Sequence, residues 1–333
     1  MNYLSVCSGI EAATVAWHDM GWNPVGFSEI EKFPSQLLAH HYPSVTNYGD
    51  MTKFKEWNIN EPVNLLVGGT PCQSFSVAGL RKGLADPRGN LMLTYLAMAD
   101  HFKPKWLLWE NVPGVLSSNG GNDFAALLQG LAQLGYGFAY RVLDAQHFGV
   151  PQRRRRVFVV GCLGNWRSAA KVLFESESLC RDIKPSKKTQ QKDSSNANSS
   201  IEECVALDER NVRMFSNENL KTFPSLTATD YKGAKSICFK VRGGCAGGGK
   251  GYLGSEEKAF TISTTQDQQL FADMRVRRLT PIECERLQGF PDDYTNTPTS
   301  NNSSRYKALG NSMAVPVMRW IGNRINKVEN DKK

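Results

Sequence analysis

Cys72 has the sequence surroundings of a reactive thiol rather than of a core residue. It follows an apolar run at residues 63–67 and two glycines, and it precedes a polar stretch. A thiolate is the nucleophilic form of cysteine, and free backbone N–H groups or a cation such as Arg81 would lower the pKa of the thiol. The pattern predicts a nucleophile just after a strand, whereas Cys162, Cys238 and Cys284 are expected to be inert.

Charged side chains at later strand ends could act together with this thiol. Glu110 ends another apolar run, and sequential strands tend to be neighbours, so it is expected beside the thiol. Gln152 precedes four arginines at 153–156, and alternation along a strand predicts that Arg154 and Arg156 face the same way. A solvated or phosphate-binding surface is the alternative interpretation of the arginines.

Another set of residues is suited to a nucleoside ligand. Gly9, in the first strand-to-helix turn, allows a ligand to approach the backbone closely. Glu29 follows the second strand, where a carboxylate can accept hydrogen bonds from ribose hydroxyls. Asp50 follows a third extended piece, where a carboxylate could hold an adenine amino group. An ordinary solvated loop residue is the alternative interpretation of either acid.

The elements that must position these residues alternate between strands and helices. Short apolar runs predict strands, and amphipathic runs from residues 11 and 123 predict helices between them. The predicted strands cover residues 3–6, 24–27, 63–67, 105–109 and 155–162. This order predicts an α/β fold with a doubly wound parallel sheet, whose ligands lie at the carboxyl ends of the strands.

The character of the chain changes at about residue 165. A polar segment near residues 184–200 reads as a flexible insertion, and short β-prone pieces with glycine extend to about residue 272. Thr280 to Glu283 fit a capping box, and Pro316 fits the first turn of a final helix. The predicted domains are residues 1–164, a smaller irregular β-rich domain at 165–272, and a return segment at 273–333.

Composition limits the function classes. The 333 residues carry a formal net charge of +8, so a polyanionic partner and a merely basic soluble protein are equally good interpretations of the charge alone. Eight cysteines without regular pairing argue for a reducing compartment, and the absence of a CxxC pair argues against zinc. We expect a cytoplasmic monomer with no bound metal and no membrane contact.

The glycine-rich stretch GCAGGGKG at residues 244–251 nearly matches a phosphate-binding loop. Gly251 stands where the hydroxyl that binds magnesium should be, so a nucleotide triphosphatase is disfavoured. Arg242 and Lys250 in and beside this stretch are predicted to approach a nucleic-acid backbone instead.

Taken in order along the chain, these segments resemble the motifs of the DNA cytosine-5 methyltransferase family. The segments are ProCysGln at 71–73, GluAsnVal at 110–112, Gln152-x-Arg154-x-Arg156, ArgLeuThrProIleGluCysGluArgLeuGlnGlyPhePro at 278–291 and GlyAsnSer at 310–312. The resemblance implies a Rossmann-like catalytic domain that uses S-adenosylmethionine, and a target recognition domain at 165–272. It also implies a double-stranded DNA substrate and base flipping.

The resemblance assigns roles to the catalytic residues. Carbon 5 of cytosine is too electron-poor to take a methyl group directly, so Cys72 first adds at carbon 6. Glu110 then serves N3 and the exocyclic amine, Arg156 serves O2, and Arg154 supports the loop. Gln73 and Ser76 are candidates to fill the gap left by the flipped base. The further DNA-binding residues predicted are Arg81, Gln152, Arg242 and Lys250.

For the cofactor, the resemblance assigns Glu29 to ribose and Asp50 to the adenine amine. The other predicted cofactor residues are Cys7, Ser8, Gly9, Ile10, Ile30, Met51, Pro71, Asn311 and Ser312. The first turn departs from the common pattern Asp-x-Phe-x-Gly-x-Gly, because this chain has Ser5, Cys7, Gly9 and Glu11. Cys7 therefore stands where the common pattern has an aromatic residue that would pack on adenine.

Three rival functions remain at this point. An RNA cytosine-5 methyltransferase shares these motifs, although a sizeable separate domain between Arg156 and Arg278 favours sequence-specific DNA. A DNA-binding homologue with impaired catalysis would explain the altered first turn, but Cys72, Glu110 and Arg156 are intact. A nicotinamide oxidoreductase shares the fold class but lacks the glycine fingerprint.

Overall fold

The structure is a computed structural model that describes part of the chain. It covers residues 1–70, 91–174 and 278–331, and the backbone of 237–241, 252–255, 259–260, 268–272 and 275–277. The predicted site residues Pro71, Cys72, Gln73, Ser76, Arg81, Arg242 and Lys250, and the insertion near 184–200, lie outside the described residues.

The chain divides into two compact units. One unit contains residues Met1–Asp144, Arg155–Asp182 and Ser312–Lys333, and the other contains Ala145–Arg154 and Ile183–Asn311. The boundary between the units therefore falls within the run of arginines, between Arg154 and Arg155, and the second unit ends at Asn311. The domain boundaries predicted from the sequence stay a prediction.

A six-stranded mixed sheet lies at the centre of the first unit. Its strand order is β2-β1-β3-β4-β7-β5, with β1 to β4 parallel. The strands are β1 (Asn2–Val6), β2 (Asn23–Ser28), β3 (Leu65–Gly68), β4 (Trp106–Asn111), β5 (Tyr136–Asp144) and β7 (Arg155–Leu163). Strands β3 and β4 are apolar and almost wholly buried, as expected for strands covered on both faces.

The prediction of a wholly parallel sheet is wrong at β7. This strand runs antiparallel to both of its neighbours, β4 and β5. Only residues 145–154 connect β5 to β7, and no α-helix lies among them. A parallel neighbour needs a longer crossover connection, usually through a helix, so the short return gives antiparallel pairing.

Six described helices belong to the first unit. They are α1 (Ala12–Trp17), α2 (Lys32–His41), α3 (Leu91–Phe102), α4 (Asn122–Gln133), α5 (Trp166–Leu173) and α8 (Val315–Asn330). Helix α8 has Pro316 in its first turn, as predicted, and packs against α1, where Trp17 Nε1 donates to Met318 O at 2.8 Å. None of the described helices is long and apolar enough to cross a membrane.

The second unit contains short strands and two described helices. Four strands form an antiparallel sheet in the order β12-β11-β8-β9, and a two-residue strand β6 pairs with β10. The strands are β6 (Gln152–Arg153), β8 (Ile237–Val241), β9 (Tyr252–Ser255), β10 (Ala259–Phe260), β11 (Gln268–Ala272) and β12 (Arg275–Arg278). The helices are α6 (Pro281–Gln288) and α7 (Asn302–Asn311).

Helix α6 begins as the sequence predicts. The Thr280 side chain accepts a hydrogen bond from Glu283 N, and the Glu283 carboxylate accepts one from Thr280 N. This capping box satisfies two backbone donors that the first turn leaves unpaired. Gly289 ends the helix with a left-handed backbone at φ 79°.

Candidate active site

Glu110 and Arg156 form a close ion pair at one end of the central sheet. Arg156 Nε lies 3.0 Å from Glu110 Oε1, and both side chains are mostly buried. Glu110 is paired with Phe158 across β4 and β7, so Arg156 is its diagonal neighbour on the same face. Burial lowers the pKa of Arg156, and Glu110 offsets part of this effect. The guanidinium remains charged at neutral pH.

Gly69 places the segment after β3 directly against Glu110. A Cβ atom on residue 69 would lie 2.8 Å from Glu110 Oε2 and 3.4 Å from Met313 Cε. Only a residue without a side chain leaves room for the carboxylate in this position. The predicted juxtaposition of Glu110 with the end of β3 is thus observed up to Thr70, the last described residue before Pro71 and Cys72.

Thr70 is tied to β4 by two hydrogen bonds. Trp109 Nε1 donates to Thr70 Oγ1 at 3.0 Å, and Asn111 Nδ2 donates to Thr70 O at 2.9 Å. The Asn111 Oδ1 atom in turn accepts a bond from Val112 N at 2.8 Å. The residues on either side of Glu110 therefore hold Thr70, the last described residue before Pro71 and Cys72.

Glu29 is held in a fixed orientation at the carboxyl ends of β1 and β2. Gly9 N donates to Glu29 Oε2 at 2.8 Å, and Glu31 N donates to Oε1 at 2.7 Å. Each carboxylate oxygen has a second lone pair, which can accept a bond from a ligand hydroxyl. Gly9 has φ +56°, and apart from its chain neighbours no atom of the described residues lies within 4 Å of the position that a Cβ atom would take, which leaves room for a ligand near the backbone.

Asp50 and Ile30 lie at the same end of this unit. The Asp50 side chain accepts a bond from Thr52 N at 2.9 Å, and the residue is exposed. Ile30, next to Glu29, is 74% exposed. Acceptors for ribose and an amine, an open glycine backbone and an exposed apolar side chain fit S-adenosylmethionine in this position.

Cys7 does not resemble a reactive thiol. Its Sγ contacts Met51 Sδ at 3.6 Å, and burial, aided by the charge of Glu29, raises the pKa of the thiol to about 12. Ser8 and Ile10 complete the turn: Ser8 Oγ donates to Ser5 O, and Ile10 is fully buried. Cys7 is the residue that stands at the aromatic position of the pattern described above.

Glu11 replaces a glycine of the common family pattern and keeps the backbone that glycine favours. Its φ of 61° and ψ of 56° are left-handed, and its side chain is buried. The carboxylate caps α1 by accepting bonds from Thr14 N at 3.0 Å and Thr14 Oγ1 at 2.6 Å, and Ser5 also bonds to it. Burial nevertheless raises the pKa of Glu11.

Arg154 is placed differently from the prediction. Strand β6 ends at Arg153 and β7 begins at Arg155, so no continuous strand makes Arg154 and Arg156 face the same way. Arg154 is 2% exposed, and its Nη2 donates to Gly310 O at 3.0 Å. It therefore braces the end of helix α7 within the second unit.

Gln152 belongs to the same buried framework. Its Nε2 donates to Leu287 O at 3.1 Å, and the side chain is fully buried, while its contact with DNA stays a prediction. Gln288 Nε2 similarly donates to Leu309 O at 2.7 Å. Three side chains thus bind carbonyl groups near the ends of α6 and α7, just before Asn311.

Asn311 ends helix α7 in the second unit, and Ser312 begins the last segment of the first. Ser312 is buried, and its Oγ donates to Met313 O at 3.1 Å. Within the first unit, Met313 Cε would lie 3.4 Å from a Cβ atom on residue 69, so this segment lies near Glu110. The described parts of the chain contain no cluster of three or more metal-ligating side chains.

Several residues that shape the site were missed at the sequence level. They include Thr70, Gln288 and Asn47, whose side chain bonds to the backbone N–H and carbonyl of Glu29. Thr70 and Asn47 are not reactive, and Gln288 lies inside a helix, so neither reactivity nor an apolar pattern marks any of the three as a site residue. Only Asn47 carries a local signal, because asparagine two residues before a glycine favours an Asx turn.

Together, the sheet, the carboxylate at the end of β2 and the acid–arginine pair beside β4 define a Rossmann-like S-adenosylmethionine-dependent methyltransferase fold. A family model described as C-5 cytosine-specific DNA methylase matches residues 1–327. The chain belongs to this family, and the resemblance read from its motifs is confirmed.

The chain is also similar to curated relatives and, in its fold, to solved structures. The chain is 26% identical to the Type II methyltransferase M.HhaI of Haemophilus parahaemolyticus, covering 100% of this chain and 96% of that protein. A crystal structure of a DNMT2 mutant from Spodoptera frugiperda has a TM-score of 0.61 at 17% identity, covering 98% and 99% of the two chains. At that identity the likeness concerns the fold.

One further relative has a name that points to different chemistry. The chain is 36% identical to a protein of Escherichia phage P1 named DNA N-6-adenine-methyltransferase, covering 98% of this chain. The chain spans 61% of that relative's length. The two names differ in the base and in the atom that would receive the methyl group.

Proposed function

We propose that this protein is a sequence-specific DNA cytosine-5 methyltransferase that uses S-adenosylmethionine. The single observation that carries the proposal is the Glu110–Arg156 pair, 3.0 Å apart, against the segment that leads from β3 to Cys72. N3 of cytosine is bonded to the carbon that carries O2, so two groups held side by side can bind N3 and O2 at the same time.

The proposed reaction begins with the Cys72 thiolate. Its sulfur forms a bond to carbon 6 of a cytosine flipped out of the duplex, and an electron pair moves toward carbon 5. Glu110, once protonated, donates its proton to N3 and accepts a hydrogen bond from the exocyclic amine, and Arg156 donates to O2, so both stabilise the negative charge that develops on the ring. The buried surroundings of the pair strengthen these interactions.

Carbon 5 then becomes a carbon nucleophile. S-adenosylmethionine, when bound, supplies an electrophilic methyl group on its sulfonium. After carbon 5 has taken the methyl group, a base removes the proton from carbon 5. The electron pair of that C–H bond restores the ring double bond, and the Cys72 thiolate leaves carbon 6 by elimination.

Chain residues at the sheet end would hold the cofactor. Glu29 would accept the ribose hydroxyls, Asp50 the adenine amine, and Ile30 would cover one side of the adenine ring. Residues 7–10 would form the first turn, and Met51, Pro71, Asn311 and Ser312 complete the set. Residues 165–272 would read the target sequence, and Gln73 and Ser76 would fill the gap in the duplex.

A 5-fluorocytosine adduct tests the proposed covalent step. Fluorine cannot leave carbon 5 as a proton does, so methylated enzyme–DNA adducts should accumulate with Cys72 attached to carbon 6. Denaturing electrophoresis should show a stable shifted band that requires S-adenosylmethionine and is missing in Cys72→Ala. Turnover on cytosine without any adduct on the fluorinated DNA would argue against the covalent route.

An adenine N6 methyltransferase is the second candidate, because the phage P1 relative bears that name. Methyl transfer to an exocyclic amine needs no thiol nucleophile. Cys72→Ala would therefore leave that activity intact, whereas the proposed cytosine reaction should stop. An RNA substrate remains the alternative within the same chemistry, and competition between labelled DNA and transfer RNA would distinguish the two.

A further inference from the structure

The segment before Asp50 joins the edge of the central sheet for a short distance. Phe27 N donates to Thr46 O at 2.9 Å, and Tyr48 N donates to Phe27 O at 2.8 Å. These two bonds form an isolated parallel bridge between Phe27 and Asn47. The chain therefore runs alongside the end of β2 immediately before it reaches the second acid.

Asn47 makes three side-chain hydrogen bonds in this segment. Its Oδ1 accepts from Glu29 N at 3.0 Å and from Gly49 N at 3.1 Å, and its Nδ2 donates to Glu29 O at 3.1 Å. A fourth hydrogen bond holds the same segment: Ser28 Oγ donates to Gly49 O at 2.6 Å. One amide thus holds both backbone polar groups of Glu29 and the residue before Asp50.

These bonds need an amide at position 47. Aspartate could accept from the two N–H groups, but it would bring a negative oxygen against the Glu29 carbonyl. Alanine would leave all three backbone groups without this partner. Gly49, with φ +73°, allows the turn to continue directly into Asp50.

We propose that Asn47 is a positioning residue that fixes Asp50 relative to Glu29. The separation of these two acids would then match the span from the ribose hydroxyls to the 6-amino group of adenine. This inference rests on the proposed function, in which both acids bind the cofactor. Asn47 itself contacts only the protein, and its effect is selectivity for a nucleoside with a 6-amino group.

The test compares two ligands by titration calorimetry in the absence of DNA. The first ligand is S-adenosylhomocysteine, and the second is its analogue with hydrogen in place of the 6-amino group. The wild-type protein should bind the first about tenfold more tightly, as expected for one hydrogen bond to a charged acceptor. Asn47→Ala should reduce this ratio to about threefold or less, and Asn47→Asp should also lower it.

Asn64→Ala is a matched control. Asn64 Oδ1 accepts a bond from Asn2 N at 2.9 Å at the opposite end of β1 and β3, so its loss should leave the ligand ratio unchanged. Thermal unfolding identifies the variants that fold. If Asn47→Ala does not fold, Asn47→Asp provides the test of the ligand ratio.

The outcomes separate this inference from the proposed function. A folded Asn47 variant that keeps the wild-type ratio would overturn the positioning role while leaving cofactor binding intact. Wild-type protein that binds both ligands equally would also overturn it, because Asp50 would then not read the amine. Wild-type protein that binds neither ligand would instead contradict the proposed function.

Discussion

Glu110 and Arg156 lie 3.0 Å apart as diagonal neighbours on strands β4 and β7, which run in opposite directions. The antiparallel pairing is what joins them, because the start of β7 meets the end of β4. A parallel β7 would carry Arg156 to the other end of the sheet. The return strand thus brings an arginine from late in the sequence to the carboxyl ends of the parallel strands.

Glu110→Gln should lower kcat by roughly 10²–10⁴-fold, because an amide cannot transfer a proton or hold the ion pair. DNA affinity should change little. Glu329→Gln is a matched control, since Glu329 pairs with Lys105 and Trp106 at the opposite end of β4. Steady-state methyl transfer and DNA binding measure the two effects, and a variant with wild-type kcat would exclude Glu110 from the chemistry.

Arg156→Lys should lower kcat by about 10²-fold or more, because lysine lacks the rigid planar fork that binds O2 and Glu110 together. Arg155→Lys is the control from the same strand, and Arg155 is exposed. The ratio of kcat values for the two variants is the informative quantity. Equal losses would indicate a general effect of charge on DNA binding rather than a role at the base.

Thr70→Val should destabilise the protein by about 1–3 kcal/mol, because the buried Trp109 indole N–H loses its acceptor. It should also reduce kcat, since Thr70 loses one of its two hydrogen bonds to β4 on either side of Glu110. Urea unfolding of Thr70→Val, Trp109→Phe and the double variant forms a double-mutant cycle. Additive losses in the double variant would show that the hydroxyl–indole bond contributes nothing.

Glu11→Gln should change the pH dependence of stability. Burial raises the pKa of Glu11 in the folded protein, so the folded state holds its proton to a higher pH than the unfolded chain does. Stability is therefore lost as pH rises through the folded pKa, and glutamine removes this loss. Urea unfolding should show Glu11→Gln gaining stability relative to wild type as the pH is raised from the ordinary carboxyl pKa of 4.5 toward neutrality, and a constant difference would contradict the raised pKa.

Strand ends were the most predictable features. Apolar runs predicted β1 to β4 within a few residues, and the neighbouring positions of β3 and β4 placed Glu110 beside residue 69 as expected. The capping box at Thr280 and the final helix were also predicted, because their signals are local. Local chemistry and short-range pattern were sufficient in these cases.

Features that depend on long-range pairing could not be predicted. The direction of β7 depends on the short connection from β5, and the burial of Arg154 and Gln152 depends on carbonyl groups 156 and 135 residues away. Glu11 shows a similar limit, because its left-handed backbone and its cap to Thr14 appear only once α1 has formed. An arginine-rich run looks like surface until its partners are known.

The central claim is tested most directly by identifying the methylated nucleoside. DNA from cells that express the protein, in a host without methyltransferases of its own, is digested and analysed by mass spectrometry. We expect 5-methylcytosine with the wild-type protein and none above background with Cys72→Ala. N6-methyladenine as the product, or 5-methylcytosine undiminished in Cys72→Ala, would contradict it.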